Sequence, residues 1–348
     1  MPATSPNDSP PEVSIIVPVY NEEKTIRLLL DAISRQTYPS DRTEVILADG
    51  NSTDGTVAEI RRWQQEHSLP EIRLVPNPKR IIPAGLNLAI QAAAGAFIIR
   101  MDAHCVPAED YVERSVHALK ADLGDNVGGR WEIRPGGDNW MARSIARAAS
   151  SPLGVGDAKY RYSEEAGYAD TVPFGAFRRE TLLKLGGFDE NLLTNEDYDL
   201  NVRIRKAGGK IWFDPQIRCI YFSRPDLISL ARQYWRYGFW KPRMLAKAPD
   251  SLRPRQLIPP LFVLSLVILT IGQFFVPFFS TVLSLELIVY IMVLFSVAIR
   301  AAGPQDTDDP LVLIGMPLAI VVMHFCWGGG FLRNLIPAFT SRKDPART

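Results

Sequence analysis

A chain of 348 residues that is 47% hydrophobic can build one large domain or two ordinary ones around a substantial core. Its formal net charge of +1 gives no bias toward polyanions, so nucleic acid is not an expected partner. Its 3 cysteines, Cys105, Cys219 and Cys326, form neither a CxxC nor a disulfide pattern, which favours a reducing compartment.

Residues 1–11, MPATSPNDSPP, lack the basic start and apolar core of a signal peptide and read as a disordered arm. "EVSIIVPVY" is an apolar strand, and "NEEKTIRLLLDAISRQ" follows as a helix with Asn21 at its N-cap. "TEVILAD" is a second strand; it breaks into "GNSTDGT" before a helix from about Thr56 to His67. "EIRLVPN" is a third strand, "PAGLNLAIQAAA" a helix opened by Pro83, and "GAFIIRMD" a fourth strand. This alternation predicts an α/β fold with a mostly parallel sheet covered by helices on both faces. Ligands bind such sheets at the carboxyl ends of the strands, where Asp49 and Asp102 both stand. Asp102 and His104, one residue apart at a strand exit, have the look of half a metal site. The alternative for His104 is a surface or supporting histidine.

Beyond residue 125 the pattern changes. "VGGRWEI" and "DTVPFGAFRRE" read as strands separated by a polar and aromatic stretch over 134–169. Asn195 can cap a helix over 196–207 that Gly208 and Gly209 terminate, followed by the strand "KIWFD". Glu196 and Asp197 then lie in the first helical turn, where the dipole favours carboxylates. That accounts for the pair structurally; the third acid, Asp199, is assigned to structure as well.

From Gln256 onward three apolar runs follow, each about the 20 residues that cross a bilayer, and they read as membrane segments over 256–336. A basic tail occupies 337–348. Residues 226–255 mix Trp235, Trp240 and several tyrosines with Arg232, Arg236, Lys241 and Arg243, which describes an amphipathic interfacial helix and linker. Arg253 and Arg255 place the start of the first span, and the preceding domain, on the cytoplasmic side of the inner membrane. Three full crossings would put the basic tail outside, so either the third run is re-entrant or paired within itself, with Gly328–Gly330 providing the break, or the positive-inside rule is violated.

Four stretches, "VPVYNEE", "ADGNSTDGT", "MDAH" and "NEDYDL", resemble in order and spacing the family 2 inverting glycosyltransferases, which have the GT-A fold. The resemblance covers about residues 12–245, and 12–225 would be the GT-A domain. With "FGAFRRE", "GGFDE" and a C-terminal membrane region, the chain is most similar to the membrane-bound succinoglycan-biosynthesis glucosyltransferase type. The resemblance implies that Pro18, Tyr20 and Glu22 line the base and ribose and that Asp49 bonds the base ring. It places Lys79 or Arg80, and Asn87, near the nucleotide. Asp102 faces the ribose or the metal, His104 is a metal ligand, and Gly175 lets backbone approach the sugar. Asp197 is the catalytic base, with Glu196 as orienting neighbour or acceptor contact. "QYWRY" resembles the QxxRW motif of processive synthases, which makes Gln233 and Arg236 acceptor or pyrophosphate contacts.

The chemistry agrees with this. A departing nucleoside diphosphate calls for a divalent cation, and imidazole favours Mn²⁺ over Mg²⁺. Inverting transfer needs a base for the acceptor hydroxyl. The expected activity is addition of one sugar, glucose from a UDP-sugar, to a polyisoprenyl-diphosphate-linked oligosaccharide in exopolysaccharide assembly, at the membrane. A processive synthase and a polyisoprenyl-phosphate glycosyltransferase are rivals within the class, and the few spans favour single transfer. From other classes come a nucleotidyltransferase, which lacks its Gly-rich basic loop here, and a non-catalytic nucleotide-binding membrane protein.

Overall fold

The computed structural model describes residues 10–156, 158–249, 252–301 and 310–340, with side chains to 337. Most of the N-terminal arm and of the basic tail (1–9 and 341–348) lies outside the described residues. The chain divides into two compact units, one drawn from Met1–Glu132 and Ser163–Tyr221, the other from Ile133–Tyr162 and Phe222–Thr348. The boundary is therefore not the linear one expected near residue 225, because residues 133–162 join the C-terminal unit.

The first unit is built on one nine-stranded sheet. Its centre is β1 (Val13–Val19), flanked in parallel by β2 (Thr43–Asp49) and β4 (Phe97–Arg100), with β3 (Glu71–Pro76) beyond β2. β1 and β2 are buried almost throughout, as strands covered on both faces must be. β3 lies at the edge, with Glu71 exposed and Pro76 at its end, where a missing N–H costs least. Helices α1 (Ile26–Ser34), α2 (Thr56–Glu66) and α3 (Ile82–Ala92) make the crossovers, and Pro83 is the second residue of α3, one place inside its start.

Past β4 the sheet is not parallel. β8 (Ala176–Arg178) runs antiparallel to β4 and to β6 (Asn126–Arg134). β5 (Cys105–Pro107) and β7 (Gly167–Tyr168) each pair antiparallel with β9 (Ile211–Phe222). The strand order is β3-β2-β1-β4-β8-β6-β9-β5. Helices α4 (Tyr111–Lys120), α7 (Arg179–Lys184) and α8 (Glu196–Lys206) complete the unit.

Two expected caps are absent. Asn21 is left-handed at φ 56°, and its Oδ1 accepts the N–H of Thr53 at 2.8 Å, so it fastens two loops together and α1 starts later. Asn195 precedes α8 but is left-handed at φ 70° and makes no side-chain cap bond.

The second unit contains α5 (Trp140–Ala149), the short α6 (Pro152–Val155), α9 (Leu227–Lys247), α10 (Pro254–Gly272), α11 (Phe278–Ala301) and α12 (Leu311–Thr340). Three of its helices, Pro254–Gly272, Phe278–Ala301 and Leu311–Pro337, are long and apolar enough to cross a membrane. α12 does not break at its three glycines. Gly328 meets the Pro259 carbonyl at a distance that a Cβ would crowd, and Gly330 meets the carbonyl of Trp235, so these glycines admit α10 and α9 to close approach. α9 is likewise more enclosed than an interfacial helix should be, with Tyr234, Trp240, Lys241 and Met244 all buried. Polar side chains pin the helices: Tyr290 Oη and the Leu153 carbonyl each lie 2.9 Å from a ring nitrogen of His324, and Ser265 donates to Glu286 at 2.6 Å.

Candidate active site

The parallel strands deliver the first acids. Val19 pairs with Asp49 and Ile16 with Arg100, so Asp49 and Asp102 emerge at neighbouring levels on either side of β1. Asp49 accepts the Ser52 hydroxyl at 2.6 Å and the Ser52 N–H at 3.2 Å, which orders the turn beyond it. Tyr20 follows β1 with 48% of its surface exposed, and Pro18 is half-buried.

Asp102 and His104 do not share one face of a strand. β4 ends at Arg100, and the Asp102 carbonyl accepts the Cys105 N–H at 3.1 Å, closing a tight turn into β5. The buried Ala103 anchors this turn, and both polar side chains are left partly open, Asp102 at 23% and His104 at 32%. Glu22 belongs here too. Its Oε1 lies 3.1 Å from His104 Nδ1, while Thr25 donates to Oε2 at 2.5 Å and the Glu22 N–H donates to Thr56 at 2.7 Å. A proton on Nδ1 facing this carboxylate puts the ring's lone pair on Nε2, the arrangement that suits a metal ligand.

No group of three or more metal-ligating side chains forms among the described residues. Asp102 and His104 fit a divalent cation that takes most of its ligands from a diphosphate: one hard oxygen and one imidazole, both accessible, with Glu22 orienting the second.

The second set of acids arrives on α8. Glu196 is buried and Asp197 half-buried in the first turn. Asp197 Oδ1 accepts the Tyr198 N–H at 2.7 Å, and Asp199 pairs with Arg203 at 2.8 Å. Arg203 also donates to the carbonyls of Leu185 and Gly187, both at 2.8 Å, so Asp199 serves the fold. Burial raises the Glu196 carboxyl to about 7, against the pull of Arg100, and Asp197 adds to the rise.

Arg100 connects the two sets. It is 5% exposed, and its Nη2 lies 3.4 Å from Asp102 Oδ1 and 3.1 Å from Glu196 Oε1. Its guanidinium stands over the Phe188 ring at 5.7 Å. Burial opposes its charge, yet Asp102, Glu196 and Asp197 together push its pKa above the ordinary value. Sequence reasoning missed this residue; its signal is a single cation closing the apolar strand "FIIR".

The other expected residues have the following surroundings. Both ends of the Asn87 amide hold the loop before α8: Oδ1 accepts the Phe188 N–H at 2.8 Å, and Nδ2 donates to the Phe188 carbonyl at 2.9 Å and to Glu190 at 3.1 Å. Lys79 pairs with Glu190 at 2.6 Å, and its ammonium with the Asn87 amide holds that carboxyl below the ordinary range. Arg80 is exposed and left-handed at φ 56°. Gly175 has φ 99°, and a Cβ there would meet Asn126 Oδ1 at 2.6 Å, so glycine is needed by the protein's own packing. Gln233 and Arg236 lie on α9 in the second unit, where Gln233 donates to Tyr237 at 3.0 Å and Arg236 is exposed.

This geometry has a counterpart in known sequences. The family model for "Glycosyl transferase family 2" matches residues 14–186. A succinoglycan biosynthesis protein, ExoA of Rhizobium meliloti (strain 1021), is 30% identical over 335 residues, covering 92% of this chain and 94% of that protein. The chain belongs to glycosyltransferase family 2. This glycosyltransferase is also 27% identical over 328 residues to a dolichyl N-acetyl-alpha-D-glucosaminyl phosphate 3-beta-D-2,3-diacetamido-2,3-dideoxy-beta-D-glucuronosyltransferase of Methanococcus voltae, covering 93% of this chain and 97% of that one. Among solved structures, a mannosyltransferase from Pyrobaculum calidifontis, in complex with GDP-Man and Mn2+, superposes with a TM-score of 0.57 at 23% identity, covering 95% of this chain and 87% of that one. The likeness establishes the GT-A fold of this transferase, α/β with a mixed sheet, followed by apolar helices.

Proposed function

We propose that this family 2 transferase moves a single sugar, glucose from UDP-glucose, with inversion onto a polyisoprenyl-diphosphate-linked oligosaccharide at the cytoplasmic face of the inner membrane. The observation that carries the reading is the shared guanidinium: Asp102, from the strand-end side, and Glu196, beside Asp197, both lie within 3.4 Å of Arg100 Nη2. A donor held at Asp102 and an acceptor hydroxyl activated on α8 would then meet in one place.

Pro18, Tyr20 and Asp49 line the nucleotide end in this reading, with Tyr20 offering an exposed ring to the base. Asp102 and His104 hold a divalent cation, Mn²⁺ in preference to Mg²⁺, which when bound neutralises charge on the leaving diphosphate. Asp197 takes the proton from the acceptor hydroxyl. Its Oδ1 is already oriented by the Tyr198 N–H, so the carboxylate approaches the acceptor in a fixed pose. By resemblance Gln233 and Arg236 are acceptor or pyrophosphate contacts, and the three apolar helices hold the enzyme where a lipid-linked acceptor is found. The relation to succinoglycan biosynthesis and to a dolichyl-linked sugar transferase supports the lipid-linked acceptor.

The test is UDP release by detergent-purified protein given UDP-glucose and an extract of bacterial lipid-linked oligosaccharides, in Mn²⁺, Mg²⁺ or EDTA. Metal-dependent release with one hexose added per lipid, absent in Asp197→Asn, is the expected result. Products that lengthen by many sugars would replace the reading with processive synthesis. UDP-glucose binding without turnover on any extract would leave a nucleotide-binding protein.

A further inference from the structure

The site contains a buried cation to which the reading above gives no role beyond juxtaposition. Arg100 closes β4, its N–H donates to the Gly175 carbonyl at 3.0 Å, and its side chain is fixed over Phe188. One nitrogen, Nη2, faces both Asp102 and Glu196. Nε and Nη1 are buried and have no hydrogen-bond partner among the described residues. A guanidinium that leaves two of its nitrogens unsatisfied in a buried setting, while directing the third at two carboxylates, is costly to the fold. A lysine would supply the charge without the flat, delocalised guanidinium that lies over Phe188.

The carboxylates it joins come from opposite ends of the site. Asp102 is placed by a sheet turn and Glu196 by the start of α8, 94 positions later in the chain. Glu196 immediately precedes Asp197, so whatever fixes Glu196 fixes the first turn that aims the base. The 188–190 loop leading into α8 is anchored by Asn87, and its Phe188 ring is the surface under Arg100.

We propose that Arg100 is a positioning residue for sugar transfer: acting through Glu196, it holds the first turn of α8, and with it Asp197, in register with the donor carboxylate Asp102. The proposal rests on the functional reading above. It places no contact between Arg100 and the substrate. Removing Arg100 therefore slows transfer without weakening donor binding, and its effect disappears once Glu196 no longer carries a carboxylate.

A double-mutant cycle with UDP-glucose and Mn²⁺ as the probe tests this. Arg100→Met is expected to lower kcat about 100-fold while KM for UDP-glucose stays within about threefold, and Arg100→Lys to recover part of the loss. In a Glu196→Gln background the same Arg100→Met change is expected to cost no more than about threefold. The inference is overturned by a full loss in that background, by wild-type kcat in Arg100→Met, or by a KM effect with kcat unchanged. Arg100→Met leaves Glu196 buried without its cation, and a failure of that variant to fold would follow from the lone charge. The double variant has no such lone charge, and its turnover is then compared directly with Glu196→Gln: equality supports the inference and a further loss sinks it. Wild-type protein that neither binds nor turns over a sugar nucleotide would instead bring down the functional reading, and this inference with it.

Discussion

The parallel and antiparallel halves of the sheet aim carboxylates in different ways. Asp49 and Asp102 are set by strand register: β1 pairs with β2 and β4 along buried backbone, and the acids stand where the ladder stops. Glu196 and Asp197 follow a loop and are set by side chains, with Asn87 fastening 188–190 on one side and Arg203 fastening Leu185 and Gly187 on the other. The backbone ladder is shared among many weak bonds, whereas the second arrangement depends on two residues. Precision at the strand ends is thus distributed, and on the α8 side it is concentrated.

The largest expected effect lies at α8 itself. Asp197→Asn removes the proposed proton acceptor but keeps the hydrogen bond from Tyr198, so transfer should fall by about 10³-fold or more with UDP-glucose binding unchanged, as read by product chromatography and calorimetry. On the donor side, Asp102→Asn should weaken Mn²⁺ binding about 10- to 100-fold, measured by electron paramagnetic resonance titration. Equal metal affinity in that variant would break the assignment of the two sides.

The stability predictions sharpen the contrast. Arg203→Ala leaves the buried Asp199 without its partner and frees two loop carbonyls, and should cost about 3 kcal/mol in thermal unfolding. Removing one bond from the strand-end turn, by Ser52→Ala, should cost about 1 kcal/mol or less. Similar losses in the two variants would refute the distinction. Glu196 adds a pH signature. Its folded carboxyl is raised from 4.5 to about 7, so the folded state favours the protonated form; relative stability is greatest below pH 4.5 and falls as pH rises through 7. Glu196→Gln should lack this decline, a difference of about 2–3 kcal/mol at most between pH 4.5 and 8.

The parallel half was legible in the sequence because strands buried on both faces read as apolar runs, and their terminal acids stand out against them. The antiparallel half was not. β5 and β8 have three residues each and β7 has two, too short to show any period. Arg100 gave no signal beyond one cation at the end of a run, since nothing local says which distant acids it will meet. Gly328–Gly330 invited a helix break, each glycine costing about 1 kcal/mol of helix propensity. Tertiary contact decided otherwise: the carbonyls of Pro259 and Trp235 leave no room for a side chain there. For the roles of Pro18, Tyr20, Gln233 and Arg236 the sequence offered resemblance alone.

The double anchoring of the loop before α8 makes that segment a cassette. Residues 185–199 leave the sheet at one point and return in a helix, and they are secured by an asparagine and an arginine that lie outside the segment. Replacing such a piece as a unit would require Asn87, Arg100 and Arg203 to be kept to receive it.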